Sequence, residues 1–275
     1  MGSASSTAYT GFNYGVRWGN QTVKTYDDFL RQFTLAQSLS SGTSGLVNSA
    51  RLFTTLQPVD QEPAHDSSKP TVAIKAAIET GTYLLVGLWA SALEKELVAL
   101  NEALKIYGED FTKLIIGISV GNEDLYRNST RCLSGCYDGA NNEALTSYIQ
   151  GVRRNLTNGP YSKNLTGIPI GHVDTQVNWL EATKELINAN DFIGVNAYPY
   201  WYNASISNSK DSFFDALQKV EGKINHKPIW ITETGWPASG PTQGKAVASV
   251  ENARRYWKDV GCLLFGKYNT FWFEL

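Results

Sequence analysis

The chain is poor in the residues that bind metals. Its 275 residues include three histidines, three cysteines and one methionine. His65, His172 and His226 are scattered, and the close pair Cys132 and Cys136 has no two further ligands nearby, so no metal site is expected. An excess of either charge is also missing. The 24 basic and 26 acidic residues are interspersed and give a net charge of −2, which points away from nucleic acid and from anionic membranes as partners. No apolar run reaches the roughly 18 residues that would cross a bilayer, so no transmembrane segment is expected. No glycine-rich phosphate turn follows the first strand-like segment, Gly11 to Gly15, which argues against an open dinucleotide-binding sheet. Linkers, low-complexity stretches and internal repeats are absent too, and nothing calls for a cofactor.

What is abundant is aromatic: eight Trp and 14 Tyr. Such rings stack on the C–H faces of sugars, although most of them in any enzyme are core. Cys132 and Cys136 are expected to form a short-loop disulfide, leaving Cys262 as a buried thiol. Five Asn-X-Ser/Thr sequons start at Asn20, Asn128, Asn155, Asn164 and Asn203. Together with a disulfide they suggest a secreted glycoprotein. Met1-Gly2-Ser3 reads as an expression scar in place of a signal peptide, and residues 1–9 as a disordered tail.

Strand-like and helix-like segments alternate from residue 10 to 275. Strands are predicted at Gly11 to Gly15, Ala50 to Thr54, Tyr83 to Trp89, Lys113 to Val120, Ile168 to Val173, Phe192 to Ala197, Pro228 to Thr232 and Thr270 to Phe273. The clearest helix carries Leu93, Leu97, Leu100 and Leu104 on one stripe and is expected to stop at Gly108. Others are predicted near Tyr26 to Leu39, Val72 to Glu79, Leu145 to Val152, Leu180 to Ile187, Phe213 to Val220 and Val247 to Trp257. A long loop with Pro58, Pro63 and Pro70 follows the second strand. Eight strands with seven helical connections predict an α/β fold, a single-domain (β/α)8 TIM barrel. The chain stops at Leu275, soon after the eighth strand, so a barrel lacking its last helix and exposing one apolar flank is expected.

Barrel chemistry sits at the C-terminal ends of the strands. Reading along that rim gives Tyr14, Arg51, Trp89, Asn122, Glu123, Asp174, Tyr198, Tyr200, Trp201, Glu233, Trp236, Trp272 and Glu274. Two glutamates end apolar strands: Glu123 after Ile118-Ser119-Val120-Gly121-Asn122, and Glu233 in Ile231-Thr232-Glu233-Thr234-Gly235-Trp236-Pro237. Paired carboxylates are what glycoside hydrolysis needs, one to protonate the departing oxygen and one to meet the oxocarbenium-like centre. The acid has to stay protonated near neutrality, and the nucleophile has to stay ionised, which Arg51 and Tyr198 would favour.

Val120-Gly121-Asn122-Glu123 and Thr232-Glu233-Thr234-Gly235-Trp236-Pro237 resemble the acid/base and nucleophile motifs of family 17 glycoside hydrolases, the β-1,3-glucanases of fungi and plants. Gly11-Phe12-Asn13-Tyr14-Gly15, Ala50-Arg51-Leu52-Phe53 and Asn196-Ala197-Tyr198-Pro199-Tyr200 fit as well, and Gly171-His172-Val173-Asp174-Thr175 looks like the cell-wall endo-β-1,3-glucanases of filamentous fungi. The resemblance implies Glu123 as general acid/base and Glu233 as nucleophile of a retaining reaction. It makes Asn122 the partner of the substrate 2-hydroxyl and Tyr198 the residue orienting Glu233. Tyr14, Arg51, Trp89, Asp174, Trp201, Trp236 and Trp272 are expected to contribute to sugar binding. The implied partner is β-1,3-glucan, the implied place the cell wall or secreted space, and the implied state a monomer. Glucanosyl transfer is the alternative on the same chemistry. A non-catalytic glucan-binding barrel would be expected to have lost a carboxylate, and β-1,4 specificity fits the Trp-Pro context less well.

Overall fold

Eight parallel strands close on themselves in sequence order, each hydrogen-bonded to its neighbours and the eighth to the first. The computed structural model describes residues 8–39, 47–59, 68–133 and 136–275. The strands are β1 Thr10–Tyr14, β2 Ser49–Leu52, β3 Tyr83–Leu88, β4 Ile115–Val120, β5 Ile170–Thr175, β6 Phe192–Asn196, β7 Ile229–Thr234 and β8 Thr270–Trp272. Between them lie α1 Tyr26–Ser38, α2 Ala73–Thr80, α3 Leu93–Thr112, α4 Asp124–Arg127, α5 Asn142–Asn158, α6 Ser162–Leu165, α7 Gln176–Glu181, α8 Lys184–Ala189, α9 Ser209–Lys223, α10 Val250–Tyr256 and α11 Cys262–Leu264. This is the (β/α)8 barrel.

Alternation along the strands makes two cores. Inside the barrel, Leu85, Ile116, Phe192, Trp230 and Phe271 form an apolar plug, with Phe192 stacked on Trp230 at 4.2 Å. The outward residues of the same strands pack against the helices in a second, larger cluster. Above the plug the interior turns polar. Asn13 donates to the carbonyls of Thr232 and Phe271, and Thr232 Oγ1 donates to Asn196. A barrel filled this way is solid at its base and carries hydrogen-bonding groups only at the rim where the strands end.

Local sequence explains several of the helix ends. Thr25 and Asp28 form a reciprocal capping box at the start of α1, and Gly81 closes α2 in the left-handed conformation at φ 65°. One helical expectation holds and one changes. Gly108 does stop the leucine-striped helix: it adopts φ 52° and ψ −127°, a kink beyond which a second short helical stretch runs to Thr112 and buries Phe111. The helix expected over Leu180 to Ile187 is two, α7 and α8, because the Thr183 side chain accepts from Leu186 N and starts a new one.

The flank beside β8 is not bare. Outward-facing Phe12, Tyr14 and Trp272 are all buried. Trp257, in the wide helical turn that continues α10, stacks on Phe12 and meets Trp272 edge-on at 4.8 Å. The expected tail over 1–9 falls mostly outside the described residues, but Tyr9 is tied in: its N–H donates to Asn269 Oδ1 and its carbonyl accepts from Thr270 N. Cys132 and Cys136 are joined in a disulfide, whereas Cys262 is half-buried rather than buried.

The β1–β2 contact leaves no room for a side chain at Gly11, where a Cβ would fall 1.8 Å from the Ser49 carbonyl oxygen. Gly11→Ala is expected to force the two strands apart and cost about 3 kcal/mol, visible as a clear drop in thermal midpoint. An unchanged midpoint would show that the strands adjust freely.

Candidate active site

Glu233 faces the cleft because β7 breaks its alternation. Its pairing to β6 shifts register between Val195 and Asn196, and its pairing to β8 shifts between Ile231 and Thr234. Strict alternation after inward-facing Thr232 would turn Glu233 outward. The bulge restores the inward direction for Glu233 and sends Thr234 outward, where its Oγ1 meets the Tyr256 hydroxyl at 2.8 Å. Once inside, Glu233 is buried. Arg51 Nη1 donates to its Oε1 at 2.7 Å and the Tyr198 hydroxyl donates to its Oε2 at 2.8 Å. Two donors on two oxygens suit a carboxylate anion. Burial, and then the Glu233 charge, push the Tyr198 phenol well above its usual range, so it stays a neutral donor.

Glu123 is aimed by a turn rather than by a strand. β4 ends at Val120, Gly121 takes φ 78°, and Glu123 itself sits at φ 57° just ahead of α4. A non-glycine residue in the left-handed region is uncommon and marks an imposed geometry. Asn196 Nδ2 donates to Glu123 Oε1 at 3.0 Å. Burial and the neighbouring Glu233 charge, with Asp174 adding, raise the Glu123 carboxyl to about 7, against the opposing effects of Asn196 and Arg127.

Asn122 links the two carboxylates. Its Oδ1 accepts from Arg51 Nη2 at 2.8 Å and from Asn196 Nδ2 at 3.2 Å. Because both neighbours are donors, the oxygen end must face them, which leaves the amide nitrogen to donate elsewhere. Arg51, 1% exposed, also reaches Asn13 Oδ1 at 2.9 Å. Glu123, Glu233, Arg51, Asn122 and Tyr198 are therefore brought into one network. The sequence reading did not select Asn196 or Asn13 as site residues. Both lie in the quoted motifs, and period-two counting from Phe192 through Gly194 would have placed Asn196 inside.

Four expected sugar contacts are corrected. Tyr14 follows inward-facing Asn13, so it points to the helices and packs edge-on to Phe33 at 4.9 Å. Asp174 is fully buried outside the barrel wall, its oxygens taken by the Leu125 N–H, the Thr175 N–H and His172 Nε2. Trp236 and Trp272 are buried between the barrel and the helices, where they flank Tyr256. Trp89 and Trp201 do reach the surface of the rim. Trp89 lies under the Arg127 guanidinium at 4.5 Å and lines a cleft of about 360 Å³ with Arg17, Trp18, Phe53 and Glu274. Trp201 is 61% exposed beside Tyr200. Tyr202, whose phenol feels the Glu123 charge, borders a second groove of about 570 Å³ between α7 and α9. Among the sequons, Asn20, Asn128, Asn164 and Asn203 are exposed, while Asn155 is half-buried and bonded to Asn101. Among the described residues no group of three or more His, Cys, Asp or Glu side chains could hold a metal ion, and no helix is long and apolar enough to cross a membrane.

Comparison with known proteins gives consistent findings. The profile of the BtgE/BtgC glycoside hydrolase domain matches residues 11–275. A probable glucan endo-1,3-β-glucosidase of Aspergillus terreus is 43% identical over 99% of the chain, which spans 55% of that protein. The chain thus spans about half the length of its Aspergillus relative. A glucan 1,3-β-glucosidase of Saccharomyces cerevisiae is 30% identical over 91% of the chain and 75% of that protein. The crystal structure of a glycoside hydrolase family 17 β-1,3-glucanosyltransferase from Rhizomucor miehei superposes with a TM-score of 0.75 at 25% identity, covering 97% of this chain and 86% of that one.

The raised Glu123 carboxyl sets a stability titration. Its folded value of about 7 lies above its ordinary 4.5, so the folded protein holds the proton more tightly. The contribution of Glu123 is fully favourable below pH 4.5 and is lost as pH rises through 7. Glu123→Gln is therefore expected to be more stable than wild type at pH 8, by about 2–3 kcal/mol, and nearly equal to it at about pH 4. Denaturant titrations at the two pH values check this. Equal midpoints at pH 8 would mean that the folded site tolerates the charged carboxylate.

Proposed function

The chain belongs to the BtgE/BtgC glycoside hydrolase domain family, and from that premise we propose that it cleaves β-1,3-glucan by retaining double displacement, with Glu123 as acid/base and Glu233 as nucleophile. The observation that carries this reading is the division of labour between the two carboxylates. Glu233 meets a guanidinium and a phenol, while the proton on Glu123 is held up to about pH 7 by burial and by Glu233 itself.

In the first half-reaction Glu233 attacks the anomeric carbon. The bond to the glycosidic oxygen breaks, and that oxygen takes the Glu123 proton. Tyr198 and Arg51 let go of Glu233 charge as it passes into the new ester bond. In the second half, Glu123, now a carboxylate, takes a proton from water, which attacks the same carbon and releases Glu233. Two inversions return the starting β configuration. The Asn122 amide nitrogen is the donor offered to the 2-hydroxyl, a contact that strengthens in the transition state. Arg51 and Tyr198 orient Glu233, and Trp89 and Trp201 offer faces for sugar stacking.

Transfer to a second glucan is the alternative second half-reaction. It is favoured by the exposed Trp201 and by Tyr202 on the Glu123 side, where an acceptor sugar would enter in place of water. The Rhizomucor relative named as a glucanosyltransferase supports this second outcome. The same reading makes the protein a secreted, glycosylated, monomeric single-domain barrel that acts on wall glucan and needs no cofactor.

A defined β-1,3-gluco-oligosaccharide, with products followed by mass and by anomeric NMR, tests the reading. Shorter products with initial β configuration are expected, with longer ones added if transfer competes. Initial α configuration would overturn the double displacement. Glu233→Ala is expected to lose activity by at least about 10³-fold on every substrate. Glu123→Ala is expected to lose about 10²- to 10⁴-fold on glucan but to keep the first step on an aryl glucoside whose leaving group needs no proton. The wild-type kcat/KM should fall as pH rises through about 7, where Glu123 loses its proton.

A further inference from the structure

Three consecutive residues of β5 hold the turn that carries Glu123. His172 Nδ1 lies 2.7 Å from the Val120 carbonyl oxygen, where β4 ends. The Val173 carbonyl accepts from Glu123 N at 2.8 Å. Asp174 Oδ2 accepts from Leu125 N at 2.8 Å, in the first turn of α4, and lies 3.0 Å from His172 Nε2. The segment from Val120 to Leu125 is thus fastened at its start, at Glu123 and at its end. Val173 faces the barrel interior, where a Cβ at Gly194 would touch its Cγ2, so His172 and Asp174 face outward, behind the site.

The partners of the His172 ring decide its charge. A carbonyl oxygen only accepts, so Nδ1 carries a proton. Asp174 already accepts the Leu125 and Thr175 N–H groups, one on each oxygen, which is the pattern of an anion rather than of a carboxylic acid. Nε2 therefore carries a proton as well. Resting on the reading of Glu123 as the acid, we propose that His172 is a permanently charged imidazolium, a positioning residue that holds the Glu123 turn and offsets the Asp174 charge behind it.

The surroundings fit this assignment. His172 is fully buried. Burial opposes its charge, but the hydrogen bond and charge of Asp174, with Asp124 adding, raise its pKa all the same. Asp124, on α4, is also fully buried, and Arg127 reaches one of its oxygens at 3.0 Å. Its other oxygen lies over Gly121, where a Cβ would be 2.1 Å from that oxygen and 3.2 Å from His172 Cε1. From α7 the ring meets the uncharged Trp179, edge-on at 5.6 Å. The charged groups that act on the imidazole are Asp174 and Asp124, with Arg127 bound to Asp124 and Glu123 carried on the turn they hold. A neutral ring would leave two buried carboxylates beside Glu123 with Arg127 as their cation, and Glu123 would hold its proton to higher pH.

Nitrogen NMR of ¹⁵N-histidine protein, with the His172 signals identified as the set that persists in both His65→Gln and His226→Gln, reads the charge directly. Both ring nitrogens should stay protonated from about pH 5 to 8. A neutral tautomer at pH 7 overturns the proposal. In kinetics on a β-1,3-gluco-oligosaccharide, His172→Gln should lower kcat about tenfold with KM within about threefold, and move the alkaline limb of kcat/KM up by about half a unit or more. A fall in activity with an unmoved limb would leave a merely structural role and overturn the electrostatic one. The NMR arm uses wild-type protein and stands even if the variant folds poorly. Full activity in Glu123→Gln would instead sink the acid reading, while the NMR result would still decide the charge of His172.

Discussion

The buried guanidinium of Arg51 is the constraint around which the rim is organised. A charge that is 1% exposed is costly unless nearly every direction around it offers an acceptor. Here the acceptors come from Asn13 on β1, Asn122 after β4 and Glu233 on β7, and Phe53 covers one face of the guanidinium at 4.6 Å. Asn13, Asn122 and Glu233 are polar and point inward at a level where the barrel would otherwise be packed with apolar groups. The plug of Phe192, Trp230 and Phe271 has to stop below them. The height of that plug sets the floor of the site, and the guanidinium holds the Glu233 carboxylate above it.

The two glutamates reach this floor by different backbone devices, and the difference suits the tasks proposed for them. Glu233 sits in a strand bulge and faces Arg51 and Tyr198. Glu123 sits in a left-handed turn, faces an uncharged amide, and has carboxylates for neighbours. The first environment favours a fixed anion and the second favours a proton that can leave and return. Swapping the two environments would swap the roles, although the side chains are chemically the same.

The eight strands were legible because buried parallel strands are nearly continuous apolar runs, and the two glutamates were legible because they end such runs. Which rim residues face the cleft was much less legible. Tyr14 and Trp272 lie one position from an inward residue on a regular strand, and Asp174 two positions beyond the outward-facing His172, so parity sends all three outward. Glu233 lies one position from an inward residue and still faces in, because a bulge intervenes. A list of polar and aromatic residues near strand ends cannot tell these cases apart. Counting twos from Phe192 does recover Asn196, and the same counting fails at Glu233. Parity is reliable only where the register is unbroken, and the break in β7 falls at the residue that matters most.

The displaced tryptophans show what the high aromatic content does. Trp236 and Trp272 both pack on Tyr256, and the Tyr256 hydroxyl meets Thr234, the residue next to Glu233. Phe12, Trp257 and Phe265 extend the same layer around the β8–β1 seam. A β-bulge gives up regular ladder hydrogen bonds, so the strand end around it needs support from side-chain packing on its outer face. The aromatic layer lies at that face. Rings that looked like a sugar-binding set therefore act one step back, by fixing the direction of a carboxylate. On the reading proposed above, sugar contact falls to the exposed rings Trp201 and Tyr202 on the β6 side and to the cleft lined by Trp18 and Trp89 on the other.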